Sequence, residues 1–276
     1  MKTKVLKITW LSAFLITLMI AGCRKNATTT ATTSQPGDEN SSEGSVVISD
    51  KTFEALNGTM FSYATTTGLK SATIGTCPAI TASSITSFPI TITCDWGTGC
   101  ASADDGITRS GKITISLSGL MNMPGSIATF TFVDFVADGN KISGVHKITY
   151  VGLNAGNSWP RYTIYTDAKI VFPDSKFITY HAEYTRLQPA GSATAAIADD
   201  VWRIEGNSSG TTRDGIAWTA SFPSALVKSA SCKWFSSGSA LITPAGGVSR
   251  TIDFGDGTCD NKATLTIGDK TTDILL

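Results

Sequence analysis

Charge is scarce in this chain, and it is balanced. Asp, Glu, Lys and Arg make up 16% of the 276 residues, with 22 acidic against 22 basic. Nucleic acid asks for a basic surface, so the balance excludes that class of partner. It equally excludes a protein held to a membrane by charge alone. Histidine is rarer still: His146 and His181 are the only two, and neither is tied to a cysteine by a motif that would make a thiol catalyst. The chain also lacks a Gly-rich phosphate loop, a His-Glu-x-x-His zinc motif and a Gly-x-Ser-x-Gly elbow. Carboxylates are present, but nothing in their spacing singles out the acid and base of a glycosidase. The reading is therefore of a non-enzymatic protein with no catalytic residue and no cofactor.

What is there begins with Lys2, Lys4 and Lys7, followed by an apolar stretch from Ile8 to Ile20 and then Ala21, Gly22 and Cys23. The stretch is shorter than the roughly 20 residues that cross a bilayer, so residues 1–22 read as an export signal. Cys23 directly after Ala21 and Gly22 resembles the lipobox of bacterial lipoproteins. That resemblance implies acylation of Cys23, cleavage before it, and stable anchoring by several acyl chains. Arg24 stands where an Asp retains many Gram-negative lipoproteins in the inner membrane. The resemblance thus implies the outer membrane, with the periplasmic face favoured, because Asp38 and Glu39 lie too far along for a surface-export signal. Membrane lipid through Cys23 is one expected partner, and an envelope protein or a glycan is the other, which makes a lipid-anchored envelope protein of structural or binding role. The alternatives are a periplasmic lipid-binding carrier and a carbohydrate or cell-wall hydrolase.

Residues 24–45 carry Thr, Ser, Asn and Gly with almost nothing apolar, which predicts a disordered tether over 23–45. The folded part is expected from Val46 to the end, as two similar halves over 46–190 and 191–276. Val46 to Ile48 reads as a strand, and Lys51 to Leu56 as one short helix or nothing regular. Beyond that the pattern is β. Gly111 to Ser118 alternates, with Ile113, Ile115 and Leu117 on one face and Lys112, Thr114 and Ser116 on the other. Further strands are expected over 128–136, 142–151, 161–172, 176–187, 200–205, 215–222, 232–242, 249–254, 263–267 and 271–275. Such spacing leaves no room for crossover helices, so successive strands pair antiparallel as a meander. One face must be covered, which predicts an all-β meander forming a curled sheet or a sandwich. Trp202, Trp218, Trp234, Phe132, Phe135, Phe172 and Phe177 are expected to fill its interior.

Two stretches echo one another: Ile92-Thr-Cys-Asp-Trp-Gly-Thr-Gly-Cys100 and Ile252-Asp-Phe-Gly-Asp-Gly-Thr-Cys259. Each is an alternating run that turns at an Asp-aromatic-Gly step into a cysteine. A second cysteine precedes each, Cys77 by 23 residues and Cys232 by 27. The match predicts disulfides Cys77 to Cys100 and Cys232 to Cys259, with Cys94 free on the core face. A small loop closed by Cys94 and Cys100 is the alternative. A second echo, Phe135 to Gly144 against Trp202 to Gly210, adds to the expectation of internal duplication. Asp253, Asp256 and Asp260 gather oxygens around a Gly turn as Ca²⁺ would require. Turn formation explains the same residues without an ion.

Cys77-Pro78, Phe88 through Cys100, Arg109 to Ile113 and Arg250 to Asn261 resemble a family of lipoproteins from the Bacteroides and Flavobacterium lineage. The likeness covers most of the mature chain, and it implies no catalytic residue, substrate or cofactor. In that family the place of Cys94 is usually apolar, which agrees with a core thiol here.

Overall fold

The computed structural model describes residues 40–64, 77–84, 87–101, 106–194 and 196–276. The export signal, Cys23 and most of the expected tether lie outside the described residues.

The first element is a helix, α1, Ser42–Ala64. Ser41 caps it, its Oγ accepting from the Gly44 amide at 3.0 Å, and Glu43 lies in the first turn near the positive end of the helix dipole. The helix therefore begins four residues before the expected start of the folded part. It also replaces both the strand expected over 46–48 and the short helix expected over 51–56. The reason is the make-up of its buried face. Val46, Phe53 and Leu56 are buried, but Glu43, Asp50, Glu54 and Asn57 share that face at spacings of seven, four and three residues. Acids at core positions erase the apolar period by which a helix is read.

Fourteen strands follow: β1 (Ala79–Ala82), β2 (Ile90–Asp95), β3 (Cys100–Ala101), β4 (Thr108–Leu117), β5 (Ile127–Ala137), β6 (Asn140–Leu153), β7 (Pro160–Val171), β8 (Phe177–Ala190), β9 (Val201–Thr211), β10 (Ala217–Ser229), β11 (Ser237–Pro244), β12 (Arg250–Asp256), β13 (Lys262–Ile267) and β14 (Lys270–Leu275). Apart from β3, which pairs only with β4, they form one antiparallel sheet in sequence order from β1 to β14. Burial alternates along most strands; in β2, Ile90, Ile92 and Cys94 are buried and Thr91, Thr93 and Asp95 are partly exposed, so the period of two carries one buried face. The other face is hydroxyl-rich. Thr81, Thr93, Thr114 and Thr131 stand opposite one another on β1, β2, β4 and β5.

The expected curled sheet or sandwich is corrected by this topology. The sheet is open: β1 and β14 end the hydrogen-bonded path, and among the described residues no second sheet packs on it. A single helix takes the place that closure or a second layer would have filled. Phe53 of α1 lies within ring contact of Phe132 on β5, His146 on β6 and Tyr180 on β8, and Glu43 reaches Arg250 on β12. The two expected halves lie in one continuous sheet.

The two echoes behind the expected duplication fare differently. The second echo fails in kind: Asp138-Gly139 is the tight turn between β5 and β6, with φ of 50° and 78°, whereas Trp202 to Gly210 runs within the single strand β9. The first echo is a real likeness of two turns. The Gly97 amide donates to Asp95 Oδ1 at 2.8 Å, and the Gly255 amide to Asp253 Oδ1 at 2.9 Å. Trp96 and Phe254, which follow those Asp residues, are both buried. The two turns differ in place, since β2 is second from one edge of the sheet and β12 third from the other.

Candidate functional site

Cys77 is bonded to Cys100 and Cys232 to Cys259, and Cys94 is a buried free thiol. These are the pairings to which the matched separations point. Burial pushes the Cys94 thiol up to about 12, so it stays protonated and unreactive. The Cys94 to Cys100 loop does not form.

The concentration of polar side chains lies where α1 meets the sheet. Asp50 Oδ1 accepts from the Tyr180 hydroxyl at 2.5 Å and from the Tyr184 hydroxyl at 3.0 Å. One turn further, both oxygens of Glu54 accept from Arg186 Nη1, at 3.0 and 2.9 Å. The Arg186 guanidinium also stacks over the Trp202 ring at 4.3 Å. Asn57 Nδ2 donates to Glu54, which turns Asn57 Oδ1 toward His146 Nε2 at 3.0 Å. His146 Nε2 therefore carries the proton, and Nδ1 accepts from the Thr166 hydroxyl at 2.8 Å. At the start of the helix, Glu43 pairs with Arg250 at 2.9 Å.

Sheet geometry sets these partners. Tyr180, Tyr184 and Arg186 lie at even positions of β8 and share its inward face, beneath successive turns of α1. Tyr184 can lie flat because Gly206, directly opposite on β9, has no side chain. A Cβ there would meet the Glu183 carbonyl oxygen at 2.2 Å and the Tyr184 ring at 3.0 Å. Gly206 also has a φ of 137°, outside the range most residues adopt.

Burial decides the protonation of this cluster. Desolvation raises Asp50 to about 7 against the pull of its two tyrosine hydrogen bonds. His146 is fully buried, and desolvation, with the Arg186 charge nearby, lowers it to about 3, so its imidazole is neutral. The space enclosed by these groups is about 10 Å³, lined by Asp50, His146 and Tyr184 among others. That is room for about one water molecule and no substrate.

Open concavities lie elsewhere. On the outer face a groove of about 350 Å³ runs over β8 to β11, lined by His181, Glu183, Asn207, Ser209, Ser221 and Thr243. His181 Nε2 stands 3.8 Å from Glu183, and Tyr165 meets the His181 ring edge-on at 5.4 Å. Sequence reasoning missed this groove, because its residues become neighbours only through the register of four strands. A second hollow, of about 720 Å³, lies by the last three strands and is lined by Asp253, Asp256, Asp260 and Asp273.

The acidic turn considered for Ca²⁺ has its oxygens engaged by its own backbone. Asp253 accepts from Gly255, Asp256 from the amide and hydroxyl of Thr258, and Asp260 from the Lys262 amide. Those bonds from Thr258 hold Asp256 below the usual carboxylate range. Among the described residues, no three His, Cys, Asp or Glu side chains converge as a metal would need.

Of the large aromatics expected inside, Trp202, Trp218, Phe135 and Phe172 are buried, and Phe132 packs against the core. Phe177 is an exception: it is exposed, with Lys169 Nζ 3.7 Å from its ring centre. Trp234 is partly exposed. No helix of the described residues is long and apolar enough to cross a membrane. No family model, curated protein or solved structure matches the chain.

Proposed function

We propose that the chain is a lipid-anchored protein of the cell envelope with a non-enzymatic role, in which the open sheet presents its outer face to a partner protein or a glycan. One observation carries this reading: the inward face is filled by the protein itself. Pockets that enclose small ligands measure about 300–1,000 Å³, whereas the space under α1 is about 10 Å³. That contrast argues against acyl-chain carriage between helix and sheet. It also argues against chemistry at the buried Asp50, Glu54 and His146, which no substrate could reach.

The groove on the outer face supports the binding half of the proposal. Its hydroxyls, amide and single carboxylate suit hydroxyl groups better than charge. The anchoring half rests on Ala21, Gly22 and Cys23 after an apolar stretch. The same residues, with the stretches noted above, underlie a place among the lipoproteins of the Bacteroides and Flavobacterium lineage.

Two measurements test the halves separately. Cys23→Ser should take up no labelled palmitate, and unchanged labelling would end the anchoring claim. Chain from residue 24 onward, exported without the acylated cysteine and purified without detergent, should carry no lipid in native mass spectrometry. A species of lipid mass at one per chain would make the protein a lipid carrier instead.

A further inference from the structure

Because β4 to β14 form a meander, alternate connections fall at the same end of the sheet. One end gathers the segment before β2, the β4–β5, β6–β7, β8–β9, β10–β11 and β12–β13 connections, and the end of β14. At this end, large apolar side chains face solvent over β2 to β7. Leu153 is 63% exposed, Met123 57% and Leu120 49%, and Phe88, Ile127 and Val151 are also exposed.

These side chains form one surface. The Gly125 amide donates to the Tyr150 carbonyl at 2.8 Å, and the Tyr150 amide donates to the Ser126 carbonyl at 2.9 Å, which holds the β4–β5 connection against the last residues of β6, where Val151 and Leu153 stand. Pro124 packs 3.6 Å from the place a side chain at Gly152 would occupy. Ile90 pairs with Leu117, and this brings Phe88 beside the same connection. Single exposed apolar residues are ordinary, but an adjacent set marks an interaction surface.

The charge pattern selects the partner. Residues 113–133 contain no Asp, Glu, Lys or Arg, and residues 142–166 contain no acid. The charged residues next to the patch are Lys147, opposite Thr129, and Arg161, opposite Gly152. At the other end of the same strands stand Asp134, Asp138, Lys141, Asp174 and Lys176, with ion pairs such as Lys141 to Asp134 at 3.0 Å. Ile216 and Val248 are exposed at that other end, but singly and close to Asp214 and Arg250. The β2 to β7 part of this end, apolar with basic flanks and no acid, fits the interface of a lipid bilayer, where apolar side chains enter the headgroup boundary and Lys or Arg meets phosphate. The acids of this end, Asp199, Asp200, Asp256 and Asp260, stand at the β8–β9 and β12–β13 connections beyond it.

We infer that the end of the sheet bearing Leu120, Met123 and Leu153 docks on the lipid surface that holds the anchor. The inference rests on the lipid-anchored reading. The reach of the chain permits it. Helix α1 starts at the far end of the sheet, where Glu43 meets Arg250 at the first residue of β12. From Cys23 to Ser41 the chain can extend about 60 Å, and β6, the longest strand beside the patch, spans about 46 Å at its 14 residues. The anchor can therefore share a membrane with the apolar end while the helix stays in place.

The test uses the full acylated protein in vesicles of phosphatidylethanolamine and phosphatidylglycerol. Single cysteines are introduced as Met123→Cys, Leu153→Cys and Asp214→Cys, each labelled with a polarity-sensitive fluorophore; buried Cys94 is left in place. Labels at 123 and 153 should shift to the blue on reconstitution and lose at least half their emission to lipids carrying a quencher near the headgroup. The label at 214 should do neither. Vesicle flotation separates the two readings, because a protein that fails to float has lost the anchor. A floating protein with aqueous emission at 123 and 153 would overturn docking. So would emission at 123 already shifted to the blue in lipid-free protein, which would place another part of the protein over the patch.

Discussion

Asp50 and His146 lie on the same helix–sheet contact and respond to pH in opposite senses. Asp50 is raised from 3.8 to about 7, so the folded state keeps a proton that the unfolded chain releases. Its stability contribution is present in full below about pH 4 and is lost as pH rises through 7. His146 is lowered from 6.5 to about 3, so the folded state refuses a proton that the unfolded chain accepts. Its contribution is present above 6.5 and is lost as pH falls toward 3. Between pH 4 and 6.5 the two slopes oppose each other, each at most about 1.4 kcal/mol per pH unit. The natural protein should be nearly flat there in urea denaturation. Asp50→Asn should lose stability as pH falls from 6.5 to 4, and His146→Gln should lose it as pH rises from 4 to 7. Parallel, flat profiles in both variants would contradict the assignment.

Arg186 and Glu54 make a second test at the same scale, since the Arg186 side chain is 3% exposed and that of Glu54 16%. Arg186→Met leaves a carboxylate unpaired in the interior, which costs about 3–5 kcal/mol. The double variant Arg186→Met with Glu54→Gln should recover a good part of that loss in denaturant midpoint. If the double variant is as unstable as the single one, packing against Trp202 rather than the ion pair is what Arg186 supplies.

Among the elements, helix α1 separates what the sequence displayed from what it hid. Strands could be read because alternation survives one residue at a time: Ile113, Ile115 and Leu117 are buried as their period requires. The disulfides could be read because two turns share an Asp, a buried aromatic and a following Cys. The helix could not, because Glu43, Asp50, Glu54 and Asn57 occupy core-facing positions and Val46-Val-Ile48 carries strand-forming residues. Its partners sit 130 residues or more away on β8, and no local pattern announces them. Phe53 is the helix's largest apolar contribution, stacked 5.4 Å from Tyr180 and 5.3 Å from His146. Phe53→Ala should cost about 3–5 kcal/mol, read as a lower unfolding midpoint with far-ultraviolet strand signal retained. Replacing Cys232 and Cys259 together by Ser should cost about 3 kcal/mol and leave the sheet folded. A change below 0.5 kcal/mol in either variant would mean that the element it fastens contributes little.

For the whole molecule, an open antiparallel sheet of this breadth needs one face covered, and one helix covers it here. The meander and its order were legible, since short strands in close succession allow little else. Closure was not, because the choice among a curled sheet, a second sheet and a helix depends on what fills the inward face. That information sits in the acids of α1 and their basic and phenolic partners on β8 and β12. A helix held by an ion pair to each of two strands, by two tyrosines and by a buried imidazole is a fixed part of the core. Amide hydrogen exchange tests this most directly. The account predicts that amides from Val46 to Asn57 exchange as slowly as those of β6 to β8, through global unfolding alone. Exchange of those helix amides 100-fold or more faster than the strands would contradict it, because the inward face would then be open to a ligand.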